Sequence, residues 1–200
     1  MRHRLALTAL AAVLLVAVQA AAIVEKKTGK EYPDKVTVTT PAGEQALVAT
    51  GAALREKTAL KVDIYTIVSY VAEGADLSGD RAAAIWKLDA TKQVRMDLRR
   101  SFSRAKLIGA MHEVIDKNYP DQSAFKAELA TFDAYFDADA KDGDVIIFTY
   151  VPGQGLTTNV NGQDKGVIAG TVFAEALWSV WFGAEPVTKD IRAAVSGGAK

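Results

Sequence analysis

Cysteine is absent from all 200 residues. The chain therefore forms no disulfide, carries no thiol for lipid attachment and offers no thiolate to a metal, so its stability rests on its core. Histidine is almost as scarce, with His3 and His112 the only two. Since His3 lies in the leader described below, a zinc cluster or a Ser-His-acid arrangement lacks parts. A basic tract is missing too. Without Arg2 and Arg4 the 24 basic residues become 22, against 24 acidic ones, and a slightly acidic body of this kind excludes nucleic acid as a partner. The aspartates at 133, 137, 139, 142 and 144 lack the glycine placement and closing glutamate of a calcium loop and read as a solvated acidic turn. Nothing requires a metal or a cofactor.

The one long hydrophobic run is at the N-terminus. Arg2, His3 and Arg4 precede an apolar stretch, Leu5 to Val18, that is short for a bilayer, and Ala20-Ala21-Ala22 supplies small residues for cleavage. Residues 1–22 are expected to be a signal peptide, with Ala21 or Ile23 the first residue of the mature chain. That predicts a periplasmic or secreted protein with no stable membrane insertion after cleavage; an uncleaved anchor is the alternative. Residues 23–34, Lys-rich and polar, are expected to be a loose arm. Roughly 180 residues remain after the leader, enough for one domain, expected over residues 35–200.

Strand and helix patterns then succeed one another. Lys35 to Thr40 alternates, Pro41-Ala42-Gly43 turns, and Gln45 to Thr50 returns as a hairpin. Lys61 to Val71, rich in Val, Ile and Tyr, reads as a central strand covered on both faces. Arg81 to Leu88 is a short helix capped by Asp80 or Ser78, and Gln93 to Arg100 is a strand with Val94, Met96 and Leu98 on one face. Ser103 opens a helix that ends near Asn118 and Pro120, and Ser123 opens another from Ala124 to Phe136. Strands, then helices, then strands and a helix describe an α+β fold, a mostly antiparallel β-sheet with a helical layer on one face.

The most specific stretch is GDVIIFTYVPGQGLTTNVNGQDKGVIAGTVFAEALWSVWFG, Gly143 to Gly183. Asp144 to Tyr150 is a strand closed by Pro152-Gly153, and Leu156 to Val160 is a second. Asn161-Gly162 suits a two-residue hairpin, so Lys165 to Ile168 should return antiparallel. Phe173, Leu177, Val180 and Trp181 then recur at helical steps until Gly183. Together with TGAALREKTALKVDIYTIVSYV, Thr50 to Val71, this run resembles the chalcone isomerase-like superfamily, over about Val48 to Ile191. The resemblance implies an open-faced β-sandwich and two possible branches, isomerases of chalcone-type unsaturated ketones and binders of fatty acids.

From the residues alone the favoured reading of Arg55 is a surface pair with Glu56 at a strand end; its match to the family's strand arginine reverses that and implies a guanidinium holding a ligand carboxylate. Tyr65 and Tyr70 are an odd number of positions apart, so only one can share a cleft with Arg55. Tyr65 is preferred as a phenol donor, the alternative being a core aromatic with a satisfied hydroxyl. The resemblance also marks Asp63 and His112 as candidates, His112 at the position of an isomerase asparagine. The other isomerase donors fail: Ala174 stands in the final helix, Ala105 and His112 in the first middle helix, and Asp63 or Tyr65 on the long strand. The expected role is a non-catalytic cleft for a small apolar carboxylic acid, such as a fatty acid, or a flavonoid-like ligand. An isomerase or lyase of an unsaturated carbonyl compound, or a periplasmic structural partner without a ligand, are the alternatives. Oligomeric state is left open.

Overall fold

β-Branched and aromatic residues at two-residue spacing, and apolar residues at three- and four-residue spacing, divide the chain into its elements. The computed structural model describes residues 21–57 and 61–198; the expected leader lies outside them up to residue 20. The strands are β1 (Ala22–Val24), β2 (Glu31–Pro33), β3 (Lys35–Thr40), β4 (Gly43–Lys57), β5 (Val62–Ala72), β6 (Lys92–Leu98), β7 (Val145–Val151), β8 (Gly155–Val160) and β9 (Gln163–Ile168). The helices are α1 (Arg81–Lys87), α2 (Arg104–Asn118), α3 (Lys126–Ala134), α4 (Val172–Phe182) and α5 (Lys189–Val195). β3 to β9 form one seven-stranded antiparallel sheet in chain order, and β1 pairs with β2. This is the expected α+β class. No helix among the described residues is long and apolar enough to cross a membrane.

Local chemistry accounts for most boundaries. The Asp80 carboxylate accepts from the Ala82 and Ala83 N–H groups at the start of α1, and Ser103 caps α2 through Lys106 N–H. Asn161 and Gly162 both have positive φ, 53° and 82°, as a tight turn between β8 and β9 requires. The middle helical segment begins with a 3-10 turn, Ser123–Phe125, before α3.

Three elements depart from the sequence reading. β4 does not stop at Thr50 but runs on to Lys57, kept in register with β5 by irregularities at Ala49/Gly51 and Arg55/Glu56. Helix α5 was not anticipated: its seven residues carry only two buried apolar anchors, Ile191 and Val195, too few for a periodic signal. The segment read as a loose arm contains the β1–β2 hairpin, and Tyr32 is its anchor, only 1% exposed. One aromatic ring in a Lys-rich stretch is a weak pattern, yet it meets a waiting apolar surface.

That hairpin explains how β5 is buried on both sides. Tyr65, Ile67 and Val71 face the helices, in the main core with Leu177, Trp181 and Phe148. Val68, Tyr70 and Ala72 face the other way and pack with Tyr32 and Leu47. The outer face is fastened by polar contacts as well. Tyr32 donates to Thr66 Oγ1 at 2.6 Å, and Tyr70 donates to the Pro33 carbonyl at 3.0 Å. Beside them Arg95 forks onto Asp97 at 2.8 and 3.0 Å, and Lys30 of the hairpin approaches Asp97 at 3.5 Å. Burial alone would raise the Asp97 carboxyl, but the hydrogen bonds and charge of Arg95 prevail and hold it below the ordinary value.

Two outcomes are expected. A Cβ at Gly51 would lie 1.9 Å from the Ala194 carbonyl oxygen of α5, so Gly51→Ala should destabilise the fold by about 1–3 kcal/mol or more, measured by urea denaturation. Because the folded-state pKa of Asp97 is depressed, its contribution is present above the unfolded value and lost as pH falls through the folded one. Asp97→Asn should therefore cost about 1–3 kcal/mol near neutrality, with the gap to the parent protein closing in strong acid; a gap that stays constant with pH would refute the assignment.

Candidate functional site

The pairing of β4 with β5 sets Arg55 directly opposite Tyr65, so the two side chains leave the same face of the sheet, the one covered by helices. Tyr65 is 8% exposed, and its hydroxyl accepts a hydrogen bond from Trp181 Nε1 of α4 at 3.1 Å. Burial pushes the phenol pKa up, while the Trp181 bond and the positive charge of Arg55 pull it back. The phenol thus keeps its proton, and that proton has no acceptor among the described hydrogen bonds. The indole fixes the oxygen and leaves the O–H free to donate.

Arg55 is half-buried. The Glu56 carboxylate does not receive it, being bonded to Lys27 of the hairpin turn, and Arg55 donates to the Glu56 carbonyl oxygen instead. No ion pair among the described residues engages the Arg55 guanidinium. The surface ion pair with Glu56 that the residues alone allowed does not form, and the guanidinium is half-buried on the helix-covered side of the ladder. Its field also reaches Glu113 of α2, where the neighbouring Lys117 is the first cause of a lowered carboxyl.

The other two candidates are engaged elsewhere. Asp63 sits at the start of β5 and meets Arg99 at 3.3 Å. His112 leaves α2 toward α3, its Nε2 2.8 Å from Asp133 Oδ1, so it ties two helices together. The structure brings together Arg55 and Tyr65 and adds neither Asp63 nor His112 to them. At the positions that isomerase donors would occupy, Ala174 is buried without a polar group and Ala105 is exposed.

Trp181 escaped the sequence reading as a site residue. Its helical spacing marked it as core, which it is, at 0% exposure; its bond to Tyr65 joins residues 116 positions apart, and no local pattern encodes that. The rings of Trp181 and Phe148 lie 6.0 Å apart, so the wall behind the phenol is aromatic. Among the described residues, two hollows have linings that include neither Arg55 nor Tyr65. One of about 320 Å³ runs from Leu107 and Phe136 to Val160 and Lys165, and one of about 490 Å³ lies between the N-terminal hairpin, β4 and α5. Tyr65 itself is packed into the main apolar core.

A model of the family described as chalcone isomerase-like matches residues 25–197. Among solved structures, the chain is similar to a fatty-acid binding protein of Arabidopsis thaliana, with a TM-score of 0.70 and 17% identity over 88% of this chain and 96% of that one. At that identity the likeness establishes the fold. No curated protein matches.

The Trp181–Tyr65 bond is open to test. Tyr65→Phe leaves the indole N–H buried without an acceptor and should cost about 1–3 kcal/mol in urea denaturation. A neutral result would mean that the indole has found another partner.

Proposed function

We propose that this chain, which belongs to the chalcone isomerase-like family, is a non-catalytic binding protein for a small apolar acid such as a fatty acid. The observation that carries this reading is the facing pair: a guanidinium with no carboxylate on it and, directly across the β4–β5 ladder, a phenol whose proton is unspent. A carboxylate is the group that takes both. It accepts from the guanidinium in a charge-assisted bond and from the phenol through its second oxygen. An alkyl tail would then run inward along Ile67, Leu177 and Trp181, which belong to the same apolar core.

The burial of Tyr65 in the main core sets a condition on this reading. Part of the main core must separate for a tail to enter, and the apolar contact that the tail makes offsets that separation. The likeness to a fatty-acid binding protein supports the choice of ligand class. Catalysis of chalcone cyclisation has less support, since Ala174 and Ala105 supply no donor for a developing enolate oxygen. The leader expected over residues 1–22 would place the protein in the periplasm or outside the cell. A member of the family that never opens, serving as a structural partner, is the reading favoured by the burial of Tyr65.

Native mass spectrometry of the purified protein, with isothermal titration of long-chain acids, tests the proposal. The parent protein should retain or bind an acid, and Arg55→Ala should bind about 10- to 100-fold more weakly, as loss of a charge-assisted hydrogen bond implies. No bound acid, with equal and negligible affinities in the two proteins, would leave the closed structural reading in its place.

A further inference from the structure

Lys92 is the most deeply buried cation among the described residues, at 2% exposure. It lies on β6 with the same parity as Val94, Met96 and Leu98, so it enters the helix-covered face. It does so at the far end from Tyr65, which pairs with Leu98, whereas Lys92 pairs with Val71 and Tyr150. No carboxylate among the described residues lies within ion-pair distance of it. Its Nζ donates to the carbonyls of Ile85 and Trp86, at 3.1 and 2.9 Å, in the last turn of α1. On the remaining side stand two aromatic faces, Trp178 at 5.1 Å and Tyr150 at 5.6 Å from ring centre to Nζ.

Lys92 also borders a hollow of about 150 Å³ that Trp86, Leu88, Tyr150 and Ala174 line with apolar surface, and that Asp89, Glu175 and Lys87 line with charge. Tyr150 donates to Asp89 Oδ1 at 2.6 Å. Glu175 accepts from Tyr119 at 2.8 Å and pairs with Lys87. A buried primary amine, a small hollow, and a phenol–carboxylate couple able to relay a proton therefore meet at one place. The acid-binding proposal uses none of these residues.

We infer that Lys92 is a carbonyl-reactive amine, and that the hollow beside it takes a small aliphatic aldehyde which the amine captures as an imine. With both hydrogens of the neutral amine donated to Ile85 and Trp86, the lone pair is left for the aromatic side, where Tyr150 also borders the hollow. The amine nitrogen forms a bond to the carbonyl carbon as the carbonyl π bond opens onto oxygen; the nitrogen then gives up one proton and the oxygen takes one up, which leaves the neutral carbinolamine. Loss of the nitrogen's proton and departure of the hydroxyl as water then form the C=N bond, with Tyr150 and Asp89 placed to pass the protons; a proton taken up afterward makes the iminium. No oxidant or reductant takes part. The charge balance of the hollow selects this chemistry over carbamate formation with carbon dioxide. An iminium remains a cation facing Trp178, Tyr150, Asp89 and Glu175 and keeps one N–H for a helix carbonyl, whereas a carbamate would put an anion beside Asp89, which no cation among the described residues pairs, and beside Glu175, which Lys87 already pairs.

Burial, the largest influence on Lys92, pushes its pKa down to about 7, with Glu175 and Asp89 opposing and Lys87 adding to the fall. A neutral fraction at ordinary pH is the condition for attack.

The test uses the full-length protein and butanal, with cyanoborohydride added only to reduce and trap the imine, followed by peptide mass mapping. Near pH 7, Lys92 should be alkylated at least about tenfold faster than the mean of the exposed lysines, which are almost wholly protonated there. The advantage should shrink toward pH 10 as the others lose their protons. Tyr150→Phe, which keeps the amine but breaks the relay, should slow labelling of Lys92 and leave the surface lysines unchanged. Labelling of Lys92 only in denaturant, or at a rate no greater than that of surface lysines, would show that it merely caps α1 and would overturn the inference. Neither result bears on whether Arg55 holds an acid.

Discussion

The antiparallel ladder between β4 and β5 is the constraint on which the rest of the molecule depends. These are its two longest strands, and β5 is covered on both faces, so the register of this one pairing decides what lies in each core. The two irregularities in the ladder do separate work. The one at Ala49/Gly51 presents a residue without a side chain to the backbone of α5, and the one at Arg55/Glu56 falls immediately after the position where Arg55 meets Tyr65. Slipping the register by one residue would reverse both faces together: Tyr65 would leave the helical core and Thr66 would lose Tyr32.

Burial of polar groups shows how the two faces differ. On the outer face every large polar group near the hairpin has a partner: Tyr32 with Thr66, Tyr70 with Pro33, and Asp97 with Arg95 and Lys30. That is the signature of a permanent contact. The helix-covered face leaves capacity unspent. The Tyr65 proton has no acceptor, Arg55 has no carboxylate, Trp178 Nε1 is buried without a partner, and Lys92 is held by carbonyls alone. Unused donors inside an apolar layer are costly unless something takes them; Ser69 Oγ, another without a partner, lies in the middle of β5, and the groups named above lie toward the two ends of the sheet.

Much of this was legible in the residues. The Asn161-Gly162 turn, the Ser103 and Asp80 caps, and the spacing of Phe173, Leu177, Val180 and Trp181 are short-range signals, and each element appeared where its signal put it. The facing pair was partly legible: Arg55 and Tyr65 stood out, but only the continuation of β4 beyond Thr50 set them opposite each other. Asp63 and His112 were marked by position in a family pattern, and their true partners, Arg99 and Asp133, lie on other elements. Lys92 carried a readable sign, since it shares parity with Val94, Met96 and Leu98 on a strand whose other polar residues face outward.

What the sequence determined by itself was most of the elements and their order, α5 and the β1–β2 hairpin excepted, because caps, turns and hydrophobic periods act over a few residues and need no distant partner. It also settled the chemistry that is impossible here, since a chain without cysteine and with one histidine in its body cannot assemble thiol or histidine clusters wherever it folds. The tertiary structure alone decided which polar groups are satisfied. The bond from Trp181 to Tyr65, the seating of Tyr32 on the outer face and the burial of Lys92 each join residues far apart in the chain. Whether a buried donor is spent or free depends on which atoms packing brings within about 3 Å of it, and no local pattern records that distance.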